Sequence, residues 1–357
     1  MPTKVLFIVP YPIGRAPSQR FRVELYEPYL IEAGITYWIA PFMDERTWDL
    51  LYKKGAVLQK VAGISKGYFR RLKHVLWDVH NYDYVFVHRE AAPLGPPMFE
   101  WIISRLWRKK MIYDFDDAIW IPNTSKENKF ASWLKAFGKV KKICGWSYKV
   151  VGGNDYLYSY ARQYNTNTVL IPTCVDMQLA HNKVKQHSEN NITVGWTGSH
   201  STLSYLDELV PIIKELQDEF DFNFLVIANK KPDLPLKNWK FIPWNAITEV
   251  DDLLKMDVGV MPLKSDAWSE GKCGFKLIQY LSLGIPAVAS PVGVNKIIIE
   301  AGKNGFLCSS DAEWKEHLRQ LITDVQMRTE FGKAGHEKIL LEYSIQSQKQ
   351  KFLALFS

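Results

Sequence analysis

Cysteines and long apolar runs are both scarce in this chain of 357 residues. The four cysteines contain no CxxC pair, which argues against a zinc site or a disulfide framework and favours a reducing, cytoplasmic location. The N-terminal apolar run, 5–9, is too short for the core of a signal peptide, and no later stretch reaches the length of a membrane span. The sequence therefore predicts neither a disulfide-rich secreted protein nor a membrane-spanning one.

A glycine-rich dinucleotide signature is also missing, although the chain opens as a Rossmann-like domain does. The apolar run 5–9 predicts a buried strand, and a loop with proline and glycine separates it from a helical pattern that begins at Phe21. The loop 14–20 lacks GxGxxG, which argues against a nicotinamide site. Open α/β sheets bind ligands at the carboxyl ends of their strands, so this loop remains a candidate ligand contact.

Length and strand pattern together predict two domains. A chain of 357 residues exceeds what one hydrophobic core usually supports, and the polar run 180–191 without strong periodicity marks a boundary. Alternating buried strands and helical patterns on both sides of it predict an α/β fold with two Rossmann-like domains. The predicted strands are 5–9, 35–40, 84–87, 111–114, 149–152 and 168–171 before the boundary, and 192–196, 222–227, 240–242, 258–261 and 286–289 after it.

The charge balance favours anionic partners. The net charge is +7 and the sequence pI is about 9.0. Nucleotide diphosphates, lipid phosphates and nucleic acid all fit such a balance, and charge alone does not choose among them.

The stretch 268–295 combines a polar, glycine-flanked entry with an apolar helix and a short strand. A helix that begins at Phe275, just after Gly274, directs its first N–H groups and its positive dipole end toward the entry, where an anion is stabilised. Lys272 and Lys276 are four residues apart and place two cations beside that first turn. The pattern predicts a phosphate or diphosphate site; the alternative is a helix that is only a buried amphipathic element.

This stretch resembles the donor-site signature of the family 4 glycosyltransferases, retaining enzymes of the GT-B fold, in which two Rossmann-like domains face each other across a cleft. In that signature a glutamate, seven residues and a second glutamate precede a glycine, a proline and a short strand. With Gly284 as the anchor, the second glutamate falls on Gln279, whose amide can hydrogen-bond a ribose diol. The first falls on Gly271, beside Glu270. The segment 171–176 is similar to the "IPNGVD" segment that closes the first domain of these enzymes.

The resemblance also implies roles for particular residues. Lys272 and Lys276 are expected to stabilise the leaving diphosphate, and His88 to touch the reacting sugar, with a loop-capping role as the alternative for His88. Trp244 is expected to stack on the nucleobase, or else to serve packing. The expected donor contacts are Gly14, Gly198, Ser199, Trp244, Glu270, Gly271, Gly274, Phe275 and Gln279. The expected acceptor-side residues are Arg20, Arg89, Glu90 and Asp117. Family members commonly place an arginine and a lysine in or after the loop at Gly198, and neither occurs between 195 and 207.

An Asp-x-Asp triplet, Asp114 to Asp116, follows the predicted strand 111–114. Such a triplet holds Mg²⁺ or Mn²⁺ against the diphosphate in the other large glycosyltransferase fold, GT-A. The phosphate-binding features of this chain lie downstream in a separate half, so we expect no metal and interpret the aspartates as loop-structuring or acceptor-facing.

Two basic segments interleave lysines and arginines with apolar and aromatic residues, at 52–77 and 126–149. Runs of this kind usually have a solvated charged face and an apolar side packed on the sheet. The alternative is a cationic surface that lies on an anionic bilayer.

The predicted function is retaining transfer of a sugar from a nucleotide-diphosphate-sugar to a glycan or lipid-linked acceptor, in cell-surface polysaccharide synthesis. No cofactor, metal or nucleic acid is expected as a partner, and peripheral membrane contact through 52–77 or 126–149 is the alternative to a solvated face. The predicted domains are 1–178, with a terminal helix at about 340–357 packing back on it, and 190–339. Two alternatives share the fold: an isomerase similar to the nucleotide-sugar 2-epimerases, and a non-catalytic nucleotide-sugar binding protein.

Overall fold

Two parallel β-sheets of six strands each organise the chain. The computed structural model describes residues 2–51, 55–122 and 136–357. It divides into two compact units, one formed by Met1–Thr173 with Gln348–Ser357 and the other by Cys174–Ser347. The change of unit at 173/174 lies close to the predicted boundary at 178, and the chain returns to the first unit at Gln348.

The first unit has the strand order β2-β1-β3-β4-β5-β6, and all neighbouring pairs are parallel. Its strands are rich in β-branched and aromatic residues because helices cover both faces of such a sheet. The carboxyl ends of all six strands therefore lie along one edge. The strands are β1 (Lys4–Val9), β2 (Thr36–Pro41), β3 (Tyr84–His88), β4 (Lys110–Phe115), β5 (Lys149–Gly152) and β6 (Thr168–Leu170).

The helices of the first unit are short, with one exception of 20 residues. They are α1 (Pro17–Arg22), α2 (Glu27–Glu32), α3 (Glu45–Leu51), α4 (Val57–Leu76), α5 (Met98–Trp101), which continues as a π-helix (Ile102–Leu106), α6 (Lys139–Trp146) and α7 (Asp155–Arg162). Two 3₁₀ segments, Glu24–Tyr26 and Asp78–Asn81, follow α1 and α4.

An aromatic cluster fixes the end of the chain in the first unit. Phe352 stacks on Tyr26 with ring centroids 3.7 Å apart, and Phe356 meets Phe7 edge-on at 6.0 Å. Phe352 and Phe356 are at most 5% exposed. Large buried rings of this kind contribute much of the apolar area that holds a domain together, so the last residues are part of this core.

The second unit has the strand order β12-β11-β10-β7-β8-β9, again entirely parallel. Its strands are β7 (Thr193–Gly198), β8 (Asn223–Ala228), β9 (Trp239–Pro243), β10 (Val258–Met261), β11 (Ala287–Ala289) and β12 (Gly305–Leu307). Its helices are α8 (Val210–Glu219), α9 (Glu249–Leu253), α10 (Ala267–Glu270), α11 (Phe275–Ser282), α12 (Asn295–Ile298), α13 (Asp311–Thr323) and α14 (Val325–Glu342), with a 3₁₀ segment at His200–Leu206. Helix α15 (Ile345–Leu353) and a 3₁₀ turn (Ala354–Phe356) complete the chain.

Within the basic segment 52–77, residues Val57–Leu76 form α4, which exposes several of its apolar side chains. Phe69 and Leu58 on its apolar side are 74% and 86% exposed. The side that packs on the unit carries Gly67, Arg71 and Val75. Tyr68 also turns inward, with its ring 5.2 Å from that of Phe42. The expectation that the apolar side of this segment packs on the sheet therefore holds for only part of its apolar residues.

The second basic segment, 126–149, lies partly outside the described residues, which resume at 136. Its described part contains α6, whose Lys139, Val140, Ile143 and Cys144 are buried. No helix in the described part of the chain is long and apolar enough to cross a membrane.

Candidate functional site

Helix α11 begins at Phe275, as the sequence predicts, and its first turn depends on a glycine. Gly274 precedes it in the left-handed region, at φ +65°. A Cβ at this position would overlap Ile298 Cδ1 and lie 3.0 Å from Val294 Cγ1. The first hydrogen bond inside the helix joins Ile278 N–H to Gly274 C=O at 3.2 Å, so the preceding N–H groups point toward the loop 269–274. This end of the helix carries partial positive charge.

Replacing Gly274 with alanine is expected to destabilise the protein by about 2–4 kcal/mol, because backbone strain adds to the overlap with Ile298. Gly302 provides a matched control, since its φ is +78° but a Cβ there meets nothing within 4 Å. Gly302→Ala should therefore show the strain alone, about 1–2 kcal/mol. Urea titration of both variants measures the difference; equal losses would show that the space at Gly274 is not needed.

A hydrogen bond joins the carboxyl end of β7 to the second turn of α11. Thr197 N–H donates a hydrogen bond to Tyr280 Oη at 2.9 Å. Tyr280 is fully buried, and burial raises the pKa of its hydroxyl, which therefore stays neutral. A Cβ on Gly198 would overlap the Trp196 ring, and Lys276 Nζ lies 5.6 Å from the centroid of that same ring. The predicted residues Gly198 and Lys276 thus both lie near the same indole.

Lys272 and the predicted residues beside it lie in the connection between α10 and α11. Asp266 caps α10 by accepting a hydrogen bond from Ser269 N–H at 2.7 Å, and Glu270 and Gly271 follow at the end of that helix. Lys272 Nζ lies 5.6 Å from the centroid of the Trp268 ring. Two lysines therefore stand near the start of α11, each placed against a tryptophan.

Two buried amide side chains near α11 keep a polar atom without a hydrogen-bond partner among the described residues. Gln279 is 3% exposed and its Nε2 has no acceptor. Asn295 is 1% exposed and its Oδ1 has no donor, whereas its Nδ2 donates to Ser290 C=O at 3.1 Å. Asn295 Oδ1 also lies 3.6 Å from the position of a Gly274 Cβ. Because a buried unsatisfied polar group costs about 1–3 kcal/mol, both atoms are candidates for ligand contacts. The sequence alone indicated no role for Asn295.

The loop after β7 leads into a segment that Ser199 caps. The Ser199 N–H donates a hydrogen bond to Thr202 Oγ1 at 3.2 Å. The segment that follows is a 3₁₀-helix, and His200 N–H donates to Asn229 Oδ1 at 2.7 Å at the end of β8. The sequence contained no signal for Asn229, since a loop asparagine is common.

Trp244 lies farther away along the sheet. It follows β9, which β7 and β8 separate from β10, so the strand spacing puts it roughly 14 Å from the end of β10. Its indole N–H donates to Glu249 Oε1 at 2.9 Å. That distance suits the far end of a nucleotide rather than its phosphates.

In the first unit, His88 is fully buried at the end of β3. Its Nδ1 lies 2.7 Å from Asp114 Oδ2, and its Nε2 lies 2.9 Å from Ser18 Oγ. Asp114 also pairs with Arg22, which donates to Ile171 C=O at 2.6 Å. Burial alone would raise the pKa of Asp114, but the charge of Arg22 and the hydrogen bond from His88 outweigh it and hold that pKa below its usual value. Both ring nitrogens of His88 are therefore engaged, and its orientation is fixed.

The other aspartates of the Asp-x-Asp segment are held by an arginine. Arg89 Nη1 lies 3.0 Å from Asp116 Oδ1 and 2.9 Å from Asp117 Oδ2, and Arg89 itself has a positive φ of 61°. Asp114 and Asp116, the two carboxylates of the triplet, therefore each pair with an arginine. No group of three or more His, Cys, Asp or Glu side chains within 2–51, 55–122 and 136–357 is placed to hold a metal ion.

The remaining predicted residues of the first unit are also engaged locally. Glu90 pairs with Lys139 Nζ at 2.8 Å. Gly14 N–H donates to Glu24 Oε2 at 2.8 Å, and the Arg20 guanidinium lies 5.0 Å from the Phe21 ring centroid. Sequence reasoning missed Ser18, which lies near His88, Arg89 and Asp116 although it is 70 residues from the histidine.

Known proteins resemble this chain in part of its sequence and in its fold. Residues 191–324 match the family described as "Glycosyl transferases group 1". Sucrose-phosphate synthase from Thermosynechococcus elongatus has a similar structure at 12% identity, with a TM-score of 0.71 over 99% of this chain and 98% of that one. Anabaena Alr3699/HepE in complex with UDP-glucose gives 15% identity and a TM-score of 0.66 over 98% of each chain. The catalytic domain of starch synthase IV from Arabidopsis thaliana, bound to ADP and acarbose, gives 9% and 0.67 over 100% and 99%. No curated protein matches the sequence.

The fold is therefore GT-B, built from two Rossmann-like units. Part of its second unit matches the group 1 glycosyltransferase model, which agrees with the resemblance found in the sequence. Membership of family 4 stays a prediction.

Proposed function

We propose that the protein is a retaining glycosyltransferase that moves a sugar from a nucleotide-diphosphate-sugar to a glycan or lipid-linked acceptor in cell-surface polysaccharide synthesis. The observation that carries the proposal is the buried Gln279 amide, whose Nε2 lacks an acceptor one turn inside a helix that starts beside two lysines. A ribose hydroxyl would satisfy that amide while the diphosphate lies at the helix start. The related structures of HepE with UDP-glucose and starch synthase IV with ADP support this class of ligand.

The proposed chemistry follows from where charge develops. As the bond to the sugar breaks, the leaving diphosphate gains negative charge, which Lys272, Lys276 and the first N–H groups of α11 stabilise. The departing phosphate oxygen accepts the proton of the acceptor hydroxyl on the same face of the sugar, so the proposal needs neither a metal nor an enzymic nucleophile. Glu270 is proposed to contact the transferred sugar, and Trp244 to contact the base.

On the acceptor side, His88 is proposed to contact the reacting sugar through the ring edge that carries Nε2, the nitrogen that lies against Ser18 Oγ. Asp114 fixes the orientation of that ring. Arg89 and Asp117 shape the neighbouring loop through their ion pair. The predicted cytoplasmic location is kept as part of the proposal.

A thermal-shift screen of UDP-, GDP- and ADP-sugars tests the ligand class, because a ligand that binds the native state raises the melting temperature. The sugar that gives a shift is then incubated with the protein alone and with candidate acceptors. Transfer to an acceptor supports the proposal, whereas a new sugar isomer without an acceptor would favour an epimerase. Binding without any turnover would favour a non-catalytic protein.

Replacing Gln279 with leucine is expected to weaken binding of the nucleotide by about tenfold or more while leaving the unliganded protein equally or more stable. The amide has an unsatisfied donor, so its removal relieves a desolvation cost but also removes a contact with the ligand. Gln217 is the matched control, since it is 8% exposed and its amide donates to Asn238 C=O at 2.7 Å. Gln217→Leu should lower the free energy of unfolding by about 1–3 kcal/mol and leave binding unchanged.

Isothermal titration and urea unfolding of the two variants provide the readouts. Loss of stability in Gln279→Leu equal to that in Gln217→Leu, with nucleotide affinity unaltered, would contradict the assignment of Gln279.

A further inference from the structure

The outward side of α4 carries a row of exposed apolar side chains. Leu58, Val61, Phe69 and Leu72 are 86%, 57%, 74% and 39% exposed. At about 100° per residue, these four fall within an arc of roughly 80° on the helix. We call them the outer face of α4. Exposed apolar residues scattered singly are ordinary, but an aligned set of this size marks an interaction surface.

The opposite side of α4 shows why the outer face is not needed to hold the helix in place. A Cβ on Gly63 would lie 2.6 Å from Thr47 Oγ1, and one on Gly67 would lie 2.6 Å from the Phe42 ring, so two glycines allow close packing. Arg71, four residues on, is fully buried. Its guanidinium donates to the carbonyl oxygens of Val9, Ala40 and Ala91 at 2.9, 3.0 and 2.8 Å. These glycines and Arg71, together with the buried Val75, hold the helix on the unit without using the outer face.

Cations flank the outer face. Residues 51–77 contain no aspartate or glutamate. Lys66 and Lys73 lie beside the outer face with side chains 70% and 65% exposed, and Trp77, at the end of the helix, is 63% exposed. The carboxylates nearest these lysines, Asp44 and Asp78, belong to neighbouring segments, and Asp44 is shared with Arg70. The basic residues of this segment are Lys53, Lys54, Lys60, Lys66, Arg70, Arg71 and Lys73.

We propose that the outer face of α4 docks on the surface of an anionic lipid bilayer. Apolar side chains inserted between headgroups, with lysines on the flank and a tryptophan at the end, are the features of a helix that lies in the interface plane. A second copy of the chain is a poorer occupant, because it would add a second positively charged face without any acidic residue of 51–77 to balance it. The inference goes beyond the proposed function and does not rest on it.

Flotation of the full chain with vesicles tests the proposal in the absence of any sugar substrate, so its outcome is separate from that of the glycosyltransfer assay. Vesicles of phosphatidylcholine with phosphatidylglycerol should bind the protein, and vesicles of phosphatidylcholine alone should bind it much less. The double variant Leu58→Ser, Phe69→Ser should lose about tenfold or more in vesicle affinity. Lys66→Ala, Lys73→Ala should lose roughly fivefold for each lysine, and added salt should weaken wild-type binding.

Matched controls lie in the second unit. Ile247 and Leu341 are 91% and 73% exposed, and Lys237 and Lys303 have side chains 63% and 67% exposed. The serine and alanine variants of these residues should bind vesicles as the wild type does. The proposal is overturned if the wild type does not bind anionic vesicles, or if the Leu58 and Phe69 variant binds them unchanged. A dimer in sedimentation that this variant dissociates, without vesicle binding, would assign the face to a second copy instead.

Discussion

Replacing Lys276 with methionine is expected to lower kcat for sugar transfer by about 10²–10³-fold, with little change in stability. The ammonium group lies over Trp196, beside the Gly198 turn and the start of α11, where the proposal puts the leaving diphosphate. The negative charge on that group increases as the sugar bond breaks, so the lysine stabilises the transition state more than the bound donor. Methionine keeps most of the side-chain length and volume and removes the charge.

Initial rates with the donor selected by thermal shift measure this effect. Lys296 is exposed on the neighbouring helix α12, and Lys296→Met should leave kcat within about twofold, since it removes the same charge from the same unit. Lys276→Arg, which keeps the positive charge, should recover part of the lost rate. A Lys276→Met enzyme as active as the wild type would remove this residue from the catalytic assignment.

The change Asp114→Asn is expected to lower the free energy of unfolding by about 3–5 kcal/mol. Asp114 is fully buried between Arg22 and His88, and Arg22 is only 3% exposed. The variant therefore leaves the Arg22 charge in the interior without the carboxylate that it contacts. Asp49, which is 52% exposed and paired with Arg15, supplies the comparison, because an exposed pair contributes only about 0–1 kcal/mol.

The same carboxylate also links stability to pH. The pKa of Asp114 is depressed in the folded protein, so its contribution is fully present above the ordinary aspartate pKa. That contribution is lost as the pH falls through the folded value. Urea titrations at neutral and acidic pH should show the wild type losing more stability than Asp114→Asn. If both lose stability in parallel, another group governs acid unfolding.

The sequence predicted α11 well because its signals are local. A glycine, a period of 3.6 and a second glycine define the start and end of a helix within ten or so residues. The strand β12 was missed because Gly305–Leu307 has only two apolar residues and begins with a glycine, a residue that is depleted in strands. Likewise, the partners of His88 were not predictable, since Ser18 and Asp114 are 70 and 26 residues away along the chain and meet it only through the strand order.

Helix α4 shows a different limit. Its pattern revealed an apolar side, but a helical period does not state which side faces the protein. The inward side is marked by Gly63, Gly67 and Arg71, which are four residues apart along the helix. The two glycines allow close packing, and Arg71 donates hydrogen bonds to carbonyls near strand ends. Such a combination can be recognised only when the carbonyls that accept the hydrogen bonds are known.

Arg71 gives α4 a rigid connection to the first sheet. Its three hydrogen bonds end on carbonyls at the close of β1, near the close of β2 and just beyond β3, the strand that ends in His88. A surface that binds the outer face of α4 would therefore also fix the orientation of this sheet edge relative to that surface. A partner anchored in the same surface would reach His88 by two-dimensional diffusion, at a fixed distance of His88 from the surface.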